Sequence, residues 1–279
     1  MATATGVDVS LFIAGFSKLP ETPLATDENH LIELLPRRER MHLLAACDQV
    51  SLVPAQVLCE HGQPTRHVYF PIDGFISLMT RVDGHPGLEV GLIGREGMLG
   101  APLALGVARS PWQALVLGAG SAWRIEALDF ERELAASGAL RGLLDRYLFV
   151  TLAQLSMAVA CPRFHLIGPR LARWLLMGRD RAHADSFHVT HEVLASMLGV
   201  RRVGITVAAG VLQREGLIRY HRGELTVLDR EGLEAAACAC YACDRQAYSE
   251  VIDPPVRRRL GFEANPLAAL LPAFAPAAR

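Results

Sequence analysis

The sequence has no large excess of charge of either sign, with 28 basic and 29 acidic residues among 279. Overall charge therefore does not identify a nucleic-acid-binding protein, and any such surface has to be local. No apolar run approaches the roughly 18 residues that a membrane-spanning helix needs, so no membrane partner is expected. Cysteine is scarce: six residues are far below the density of a disulfide scaffold. A reducing, cytoplasmic environment is the simplest expectation.

Catalytic motifs are missing as well. The chain has no Gly-rich nucleotide loop, no nucleophile motif and no paired-metal spacing, so we expect neither catalytic residues nor a metal site. Cys238, Cys240 and Cys243 are predicted to lie on one helix, where Cys238 is turned away from the other two by about 200°. Helix packing is therefore favoured over metal binding for these cysteines.

Hydrophobic residues make up 51% of the chain, enough for a sizeable core, and its length is comfortable for two domains. Short stretches separated by glycine-containing turns are typical of an all-β sandwich or barrel. These predicted strands are 66–70, 75–81, 89–93, 113–117 and 121–125. Five segments are expected: a flexible leader (1–30), this β-domain (31–137), a long helix (138–162), a C-terminal domain (163–252) and a flexible Pro/Ala-rich tail (253–279).

The spacing of apolar residues changes near residue 128. From 139 to 161 they recur at spacings of three and four, as in a helix. Such a helix would extend about 34 Å before Pro162 interrupts it. Its two adjacent apolar stripes allow one to pack on its own domain and the other on a second copy of the chain. A helix buried within one chain is the alternative, but the small β-domain and the polar Gln154 in the first stripe favour a homodimer.

The segment from His188 to Asp229 predicts two short helices joined by a tight turn. Thr190 can cap the first helix, and Gly199 lies where the chain leaves it. Ala195 is small where the helices must cross, and Ile205 can fill the core between them. This small–glycine–aliphatic spacing is what a helix-turn-helix requires, with the second helix at about 202–213.

The outer side of the second helix and its flanks are expected to contact double-stranded DNA. Arginine can pair with guanine, glutamine with adenine, and valine can touch a thymine methyl group. Two strands joined around residues 222–223 would form a wing near phosphates. The predicted DNA-binding residues are Thr190, Arg201, Arg202, Val203, Thr206, Val207, Gln213 and Arg222. Local charge supports this, because residues 161–225 hold ten arginines and five acidic residues in a chain of net charge −1.

These features resemble the winged helix-turn-helix of the Crp/Fnr family of bacterial transcription regulators, over about residues 30–250. The stretch RLARWLLMGRDR (170–181), the hairpin RYHRGELTVLD and the order of the segments resemble that family too. The resemblance implies an α+β fold with an N-terminal β jelly-roll sensor domain, a long dimerisation helix and a C-terminal winged helix-turn-helix domain. It also implies that Arg202, Val203 and Val207 read bases. Arg202 keeps the family's arginine, whereas the two valines replace charged residues of the founding members.

Part of the β-domain resembles the cyclic-nucleotide-binding fold, on Gly62, VYF at 68–70, Gly74 and GREGMLG at 94–100. The resemblance places Gly100, Ala101, Arg109 and Ser110 at a ligand site, with Arg109 and Ser110 able to hold a cyclic phosphate. Ala101 stands where the family's glutamate binds the ribose. Losing that carboxylate should cost several-fold to orders of magnitude in affinity, so a cyclic nucleotide is disfavoured and no cofactor is assigned.

The expectation is thus a cytoplasmic bacterial transcription regulator, not an enzyme, that binds DNA as a homodimer and answers an unidentified signal through its β-domain. RNA polymerase is a candidate further partner. Two alternatives stay open: a ligand-independent DNA-binding dimer with a scaffold β-domain, and an effector-binding module whose winged helix docks a protein partner.

Overall fold

The computed structural model describes residues 29–81, 87–182 and 184–253. These residues form a β-domain with helices at both of its ends, a long helix, and a C-terminal domain built around a helix-turn-helix. Most of the expected leader and tail, 1–28 and 254–279, lies outside the described residues.

Two antiparallel sheets make up the β-domain. The strands are β1 (Asp48–Leu52), β2 (Val57–Cys59), β3 (His67–Pro71), β4 (Phe75–Thr80), β5 (Leu88–Ile93), β6 (Gln113–Gly118) and β7 (Gly120–Glu126). One sheet has the order β1-β7-β3 and the other the order β2-β6-β4-β5. A short 3₁₀ helix (Ala101–Leu105) lies between β5 and β6.

The five predicted strands are confirmed, with ends that differ by one residue. Strands β1 and β2 were not predicted. Most of β1 is exposed, and β2 has three residues and an irregular register, so neither shows the alternation that marks a half-buried strand.

Residues 29 and 30, expected in the leader, pack as part of the described fold. Asn29 is completely buried. Its side chain accepts a hydrogen bond from the Leu31 N–H and donates to the carbonyl oxygens of Pro71 and Gly97. Asn29 therefore caps helix α1 (His30–Glu33), which is followed by α2 (Arg37–Ala45), and ties the start of the described chain to the β-domain.

The long helix is α4 (Gly138–Phe164), which follows α3 (Ala127–Ala136). It begins at the Ser137 cap and continues through Pro162, so the prediction that this proline interrupts it was wrong. Proline lies here in the last turn, where only one backbone hydrogen bond is lost. By length and composition the helix could cross a membrane, although no unbroken apolar run marks it in the sequence. One face of its first half packs against the β-domain.

The C-terminal domain continues with α5 (Ile167–Ala182), β8 (Ser186–His188), α6 (His191–Leu198), α7 (Arg202–Arg214), β9 (Ile218–His221), β10 (Glu224–Val227), α8 (Arg230–Ala236) and α9 (Cys240–Val251). Strand β8 pairs with β10 and was not predicted. Helix α9 returns to the β-domain, where Tyr248 donates to the carbonyl of Glu96 and Ile252 is buried. Asp253, expected in the tail, pairs with His30.

Candidate nucleic-acid interface

Helices α6 and α7 form the expected two-helix unit. The chain bends by 109° between them, within the range of helix-turn-helix motifs. The Val193 N–H donates to Thr190 Oγ1 over 3.2 Å, which confirms the cap. Gly199 ends α6 with a φ of +62°, a left-handed conformation that glycine adopts without a Cβ clash. A Cβ there would lie 2.8 Å from Leu88 Cδ1.

The inner face of α7 packs as the sequence indicated. Ile205, Ala208 and Leu212 are buried in one core with Ala195 of α6. Because the inner face is fixed in this way, the opposite face of α7 turns to solvent. Val203 and Val207 are 66% and 63% exposed on that face, one helical turn apart.

Polar side chains around the two valines make weak or local contacts. Arg202 is mostly exposed, and its Nε lies 3.7 Å from a carboxylate oxygen of the exposed Glu192. Thr206 Oγ1 donates to the Arg202 carbonyl over 3.2 Å and lies 3.1 Å from His191 Nδ1. Arg201 precedes the helix and is exposed. These groups can therefore turn toward a groove without breaking the core.

One contact that the sequence did not reveal links α6 to the wing. The ring of His191 stacks on Tyr220 with centroids 4.5 Å apart, and the Tyr220 hydroxyl donates to the Val189 carbonyl over 2.6 Å. Burial, with the nearby Arg202 charge, lowers the pKa of His191 below its usual value. The predicted adenine-reading Gln213 is also tied here, because its side-chain oxygen accepts from the Tyr220 N–H.

The wing is the hairpin of β9 and β10. Arg222 and Gly223 have φ values of +50° and +87°, as a two-residue hairpin turn of type I′ requires. Gly223 is needed for space as well, since a Cβ would lie 2.4 Å from the His188 ring. The turn leaves Arg222 exposed at the tip, with Arg219 and His221 exposed beside it.

The count of ten arginines overstated the charge available to DNA. Arg170 donates to the Leu198 carbonyl, Arg173 pairs with Asp244, and Arg181 pairs with Glu96. Arg179 pairs with Asp185 at 2.5 Å. All four already have partners, so the positive charge that faces solvent near α7 comes from the arginines of that helix, its N-terminus and the wing.

The C-terminal domain is docked on the β-domain through a shared core. Phe75 of β4 meets Phe187 edge-on, and Trp174 of α5 packs on Phe187 as well. Glu89 of β5 lies between the domains: its two carboxyl oxygens accept from Trp174 Nε1 and Ser77 Oγ, both over 2.7 Å. Burial raises the pKa of Glu89 to about 7, although both hydrogen bonds favour the charged form.

The cleft predicted to hold a ligand exists but is largely apolar. Gly100, Ala101 and Ser110 line it, together with side chains of α4, and its volume is about 40 Å³. At about 10–15 Å³ for each water, this is space for about three waters. Ser110 donates to the Trp112 carbonyl over 2.7 Å. Arg109, expected at this site, does not line the cleft; its guanidinium donates to the Gly62 carbonyl over 2.8 Å.

Comparisons with known proteins agree with this architecture. A cyclic nucleotide-binding domain family matches residues 49–137, and a Crp-like helix-turn-helix domain family matches residues 169–236. No curated protein sequence matches the chain.

Similar solved structures include one from Eubacterium rectale ATCC 33656 described as a transcriptional regulator of the crp/fnr family (16% identity, 75% of this chain, 99% of that chain, TM-score 0.57). Another is a CRP/FNR family transcriptional regulator from Thermus thermophilus (23% identity, 68% of this chain, 98% of that chain, TM-score 0.53). A third is the c-di-GMP responsive global regulator CLP of Xanthomonas campestris (17% identity, 69% of this chain, 99% of that chain, TM-score 0.52). At identities this low, the similarity shows a shared fold alone.

Proposed function

We propose that two copies of this chain bind one two-fold-related DNA site. The chain is a transcription regulator of the Crp/Fnr type, with a cyclic nucleotide-binding domain and a Crp-like helix-turn-helix domain. The observation that carries the proposal is the outer face of α7. Val203 and Val207 are solvent-exposed there beside Arg202, on a helix whose other face is fixed in a core.

This face suits direct reading of the major groove. Arg202 at the start of α7 can pair with a guanine, while the two valines can contact thymine methyl groups. Arg222 at the wing tip and Arg201 are suited to phosphates, which position the protein without reading sequence. The operator therefore combines guanine with thymine at fixed spacing in each half.

The exposed second half of α4 supports dimerisation through that helix. Leu152 and Val159 are 63% and 76% exposed, and Phe149 lies on the same side. A partner helix packed on this stripe would cover them. Two copies related by a two-fold axis would then present their α7 helices to half-sites one helical turn, about 34–36 Å, apart.

Regulation is proposed to act on the contact between the two domains. A signal that changes how the β-domain holds Trp174 and α5 would move α7 relative to its twin. We do not assign a cyclic nucleotide to this role, because the cleft has neither the ribose-binding carboxylate nor the Arg109 guanidinium in its lining. A cytoplasmic location and a contact with RNA polymerase stay predictions.

The test is selection of bound sequences from random duplex DNA, followed by titration of the parent and two variants. Arg202→Ala should weaken the selected site by about 1–3 kcal/mol and relax the choice of one base in each half-site. Arg132→Ala removes an exposed arginine far along the chain, on α3, and should leave affinity unchanged. If no duplex is enriched, or if Arg202→Ala binds every duplex as the parent does, the proposal is wrong and a protein-docking role gains support.

A further inference from the structure

Three buried cysteines meet where the long helix joins the C-terminal domain. Cys161 lies in the last turns of α4, Cys238 lies between α8 and α9, and Cys240 begins α9. Their sulfur atoms all lie within 4.8 Å of one another, and those of Cys161 and Cys238 are 3.6 Å apart. The sequence-based prediction had grouped Cys238 and Cys240 with Cys243 on one helix. It was wrong because α9 starts only at Cys240, which frees Cys238 to face Cys161.

The spacing of these sulfurs is that of ligands around one metal ion. With metal–sulfur bonds of about 2.3 Å, tetrahedral or trigonal geometry separates the sulfurs by about 3.8–4.0 Å. A disulfide would require the Cys161 and Cys238 sulfurs to close to about 2.05 Å. Small side-chain shifts therefore suffice for a metal, whereas a disulfide needs a larger displacement.

The surroundings select a soft cation. The side chain of Met157 packs against the three cysteines, and among the described residues no histidine or carboxylate joins the group. Sulfur ligands without oxygen or nitrogen favour Cu(I) over Mg²⁺, Ca²⁺ or Mn²⁺. A closed zinc site needs a fourth protein ligand, which this group lacks. Three buried cysteine sulfurs are sufficient ligands for Cu(I) once the ion has displaced their protons.

A positive charge lies near the three sulfurs. The hydrogen bond from Cys238 and the charge of Arg173 both lower the pKa of Cys161. Because thiolates are the metal ligands, a bound ion would displace the protons of the thiols that it coordinates.

We propose that Cys161, Cys238 and Cys240 form a site for a single Cu(I) ion that joins the end of α4 to the segment between α8 and α9. The site spans the non-helical step at His165, where α4 ends before α5 begins. Cys238 is already held near α5, because its N–H donates to the Pro169 carbonyl over 3.2 Å. Bound metal would fix the long helix relative to the C-terminal domain.

None of the three cysteines lies within the matched family regions, 49–137 and 169–236. The site therefore lies in segments of this chain that neither family model covers. Its effect on DNA, unlike its binding of metal, rests on the proposed function.

Metal binding is tested on the full chain, reduced and without oxygen, by titration with Cu(I) buffered by bathocuproine disulfonate. We expect one ion per chain. Cys161→Ser, Cys238→Ser and Cys240→Ser should each weaken binding at least tenfold, while Cys243→Ser, which changes a thiol outside the group on the same helix, should not. Zn²⁺ offered with a matched chelator should bind more weakly than Cu(I).

Alkylation of the parent with iodoacetamide, read by peptide mass spectrometry, gives a result even if a variant fails to fold. Cu(I) should protect Cys161, Cys238 and Cys240 but leave Cys47 and Cys243 unchanged. Absence of selective protection, or equal Cu(I) affinity in Cys161→Ser and the parent, overturns the site.

Regulation is tested last, by DNA affinity of the parent with and without one equivalent of Cu(I). A change of at least fivefold, absent in Cys238→Ser, supports coupling. Unchanged DNA affinity with tight Cu(I) binding refutes the coupling and leaves the site standing. Failure to bind DNA in either condition refutes the proposed function and not the metal site.

Discussion

Replacing Glu89 by glutamine tests how the β-domain holds the C-terminal domain. Glutamine can keep both contacts, since its oxygen can accept from Trp174 Nε1 and its amide can donate to Ser77 Oγ. The substitution removes only the ability to ionise. Arg173 and Arg181 face the carboxyl group, but burial outweighs them and raises its pKa to about 7.

The direction of the effect follows from the two pKa values. The ordinary pKa of a free glutamate is 4.5, so the folded state holds this proton more tightly than the unfolded state does. The stabilisation is therefore complete below about pH 4.5 and is lost as the pH rises through 7. Between pH 6 and pH 8 this stabilisation should fall by at most about 1.4 kcal/mol, which is about a tenfold change in the equilibrium constant for unfolding.

The assay is urea unfolding followed by tryptophan fluorescence at pH 6, 7 and 8. The free energy of unfolding of the parent should fall by about 1 kcal/mol relative to Glu89→Gln across this range. Glu131→Gln, which changes an exposed carboxylate on α3, should follow the parent. Identical pH dependence in the parent and Glu89→Gln would refute the assignment of a proton to this contact.

Three further substitutions test other parts of the fold. Gly199→Ala forces a left-handed alanine beside Leu88 and should lower stability by about 1–2 kcal/mol in thermal unfolding; an unchanged midpoint would contradict the turn geometry. Tyr147→Phe leaves the buried Met98 N–H without its acceptor and should lower stability by about 1–3 kcal/mol in the same measurement. An unchanged midpoint would mean that the hydrogen bond does not form. Leu152→Glu should convert dimer to monomer in sedimentation without unfolding the chain, whereas a parent that is already monomeric would refute the role of α4.

Local features were predictable because short-range rules determine them. The Thr190 cap, the left-handed Gly199 and the buried Ile205 each depend on residues within one or two helical turns, so the helix-turn-helix could be located from sequence. The wing was predictable for the same reason, because its turn needs positive φ at Arg222 and Gly223.

Long-range features were not predictable from the pattern of residues. Cys161 and Cys238 are 77 positions apart, and only the return of the chain after the wing brings them together. Arg170 and Arg173 looked like part of a basic surface, but tertiary partners bind both. The exposed stripe of α4 was predictable only in part. The helical spacing of its apolar residues could be seen in the sequence, but which side of the helix faces the β-domain could not.

Reading of the major groove by paired α7 helices at two half-sites is the central claim. Methylation interference on the selected duplex tests it most directly, since methylation of guanine N7 blocks the edge that Arg202 would bind. We predict two clusters of interference about 10–10.5 base pairs apart, centre to centre, with one guanine in each that ceases to matter in Arg202→Ala. A single cluster, or interference that is the same in Arg202→Ala, would contradict the claim.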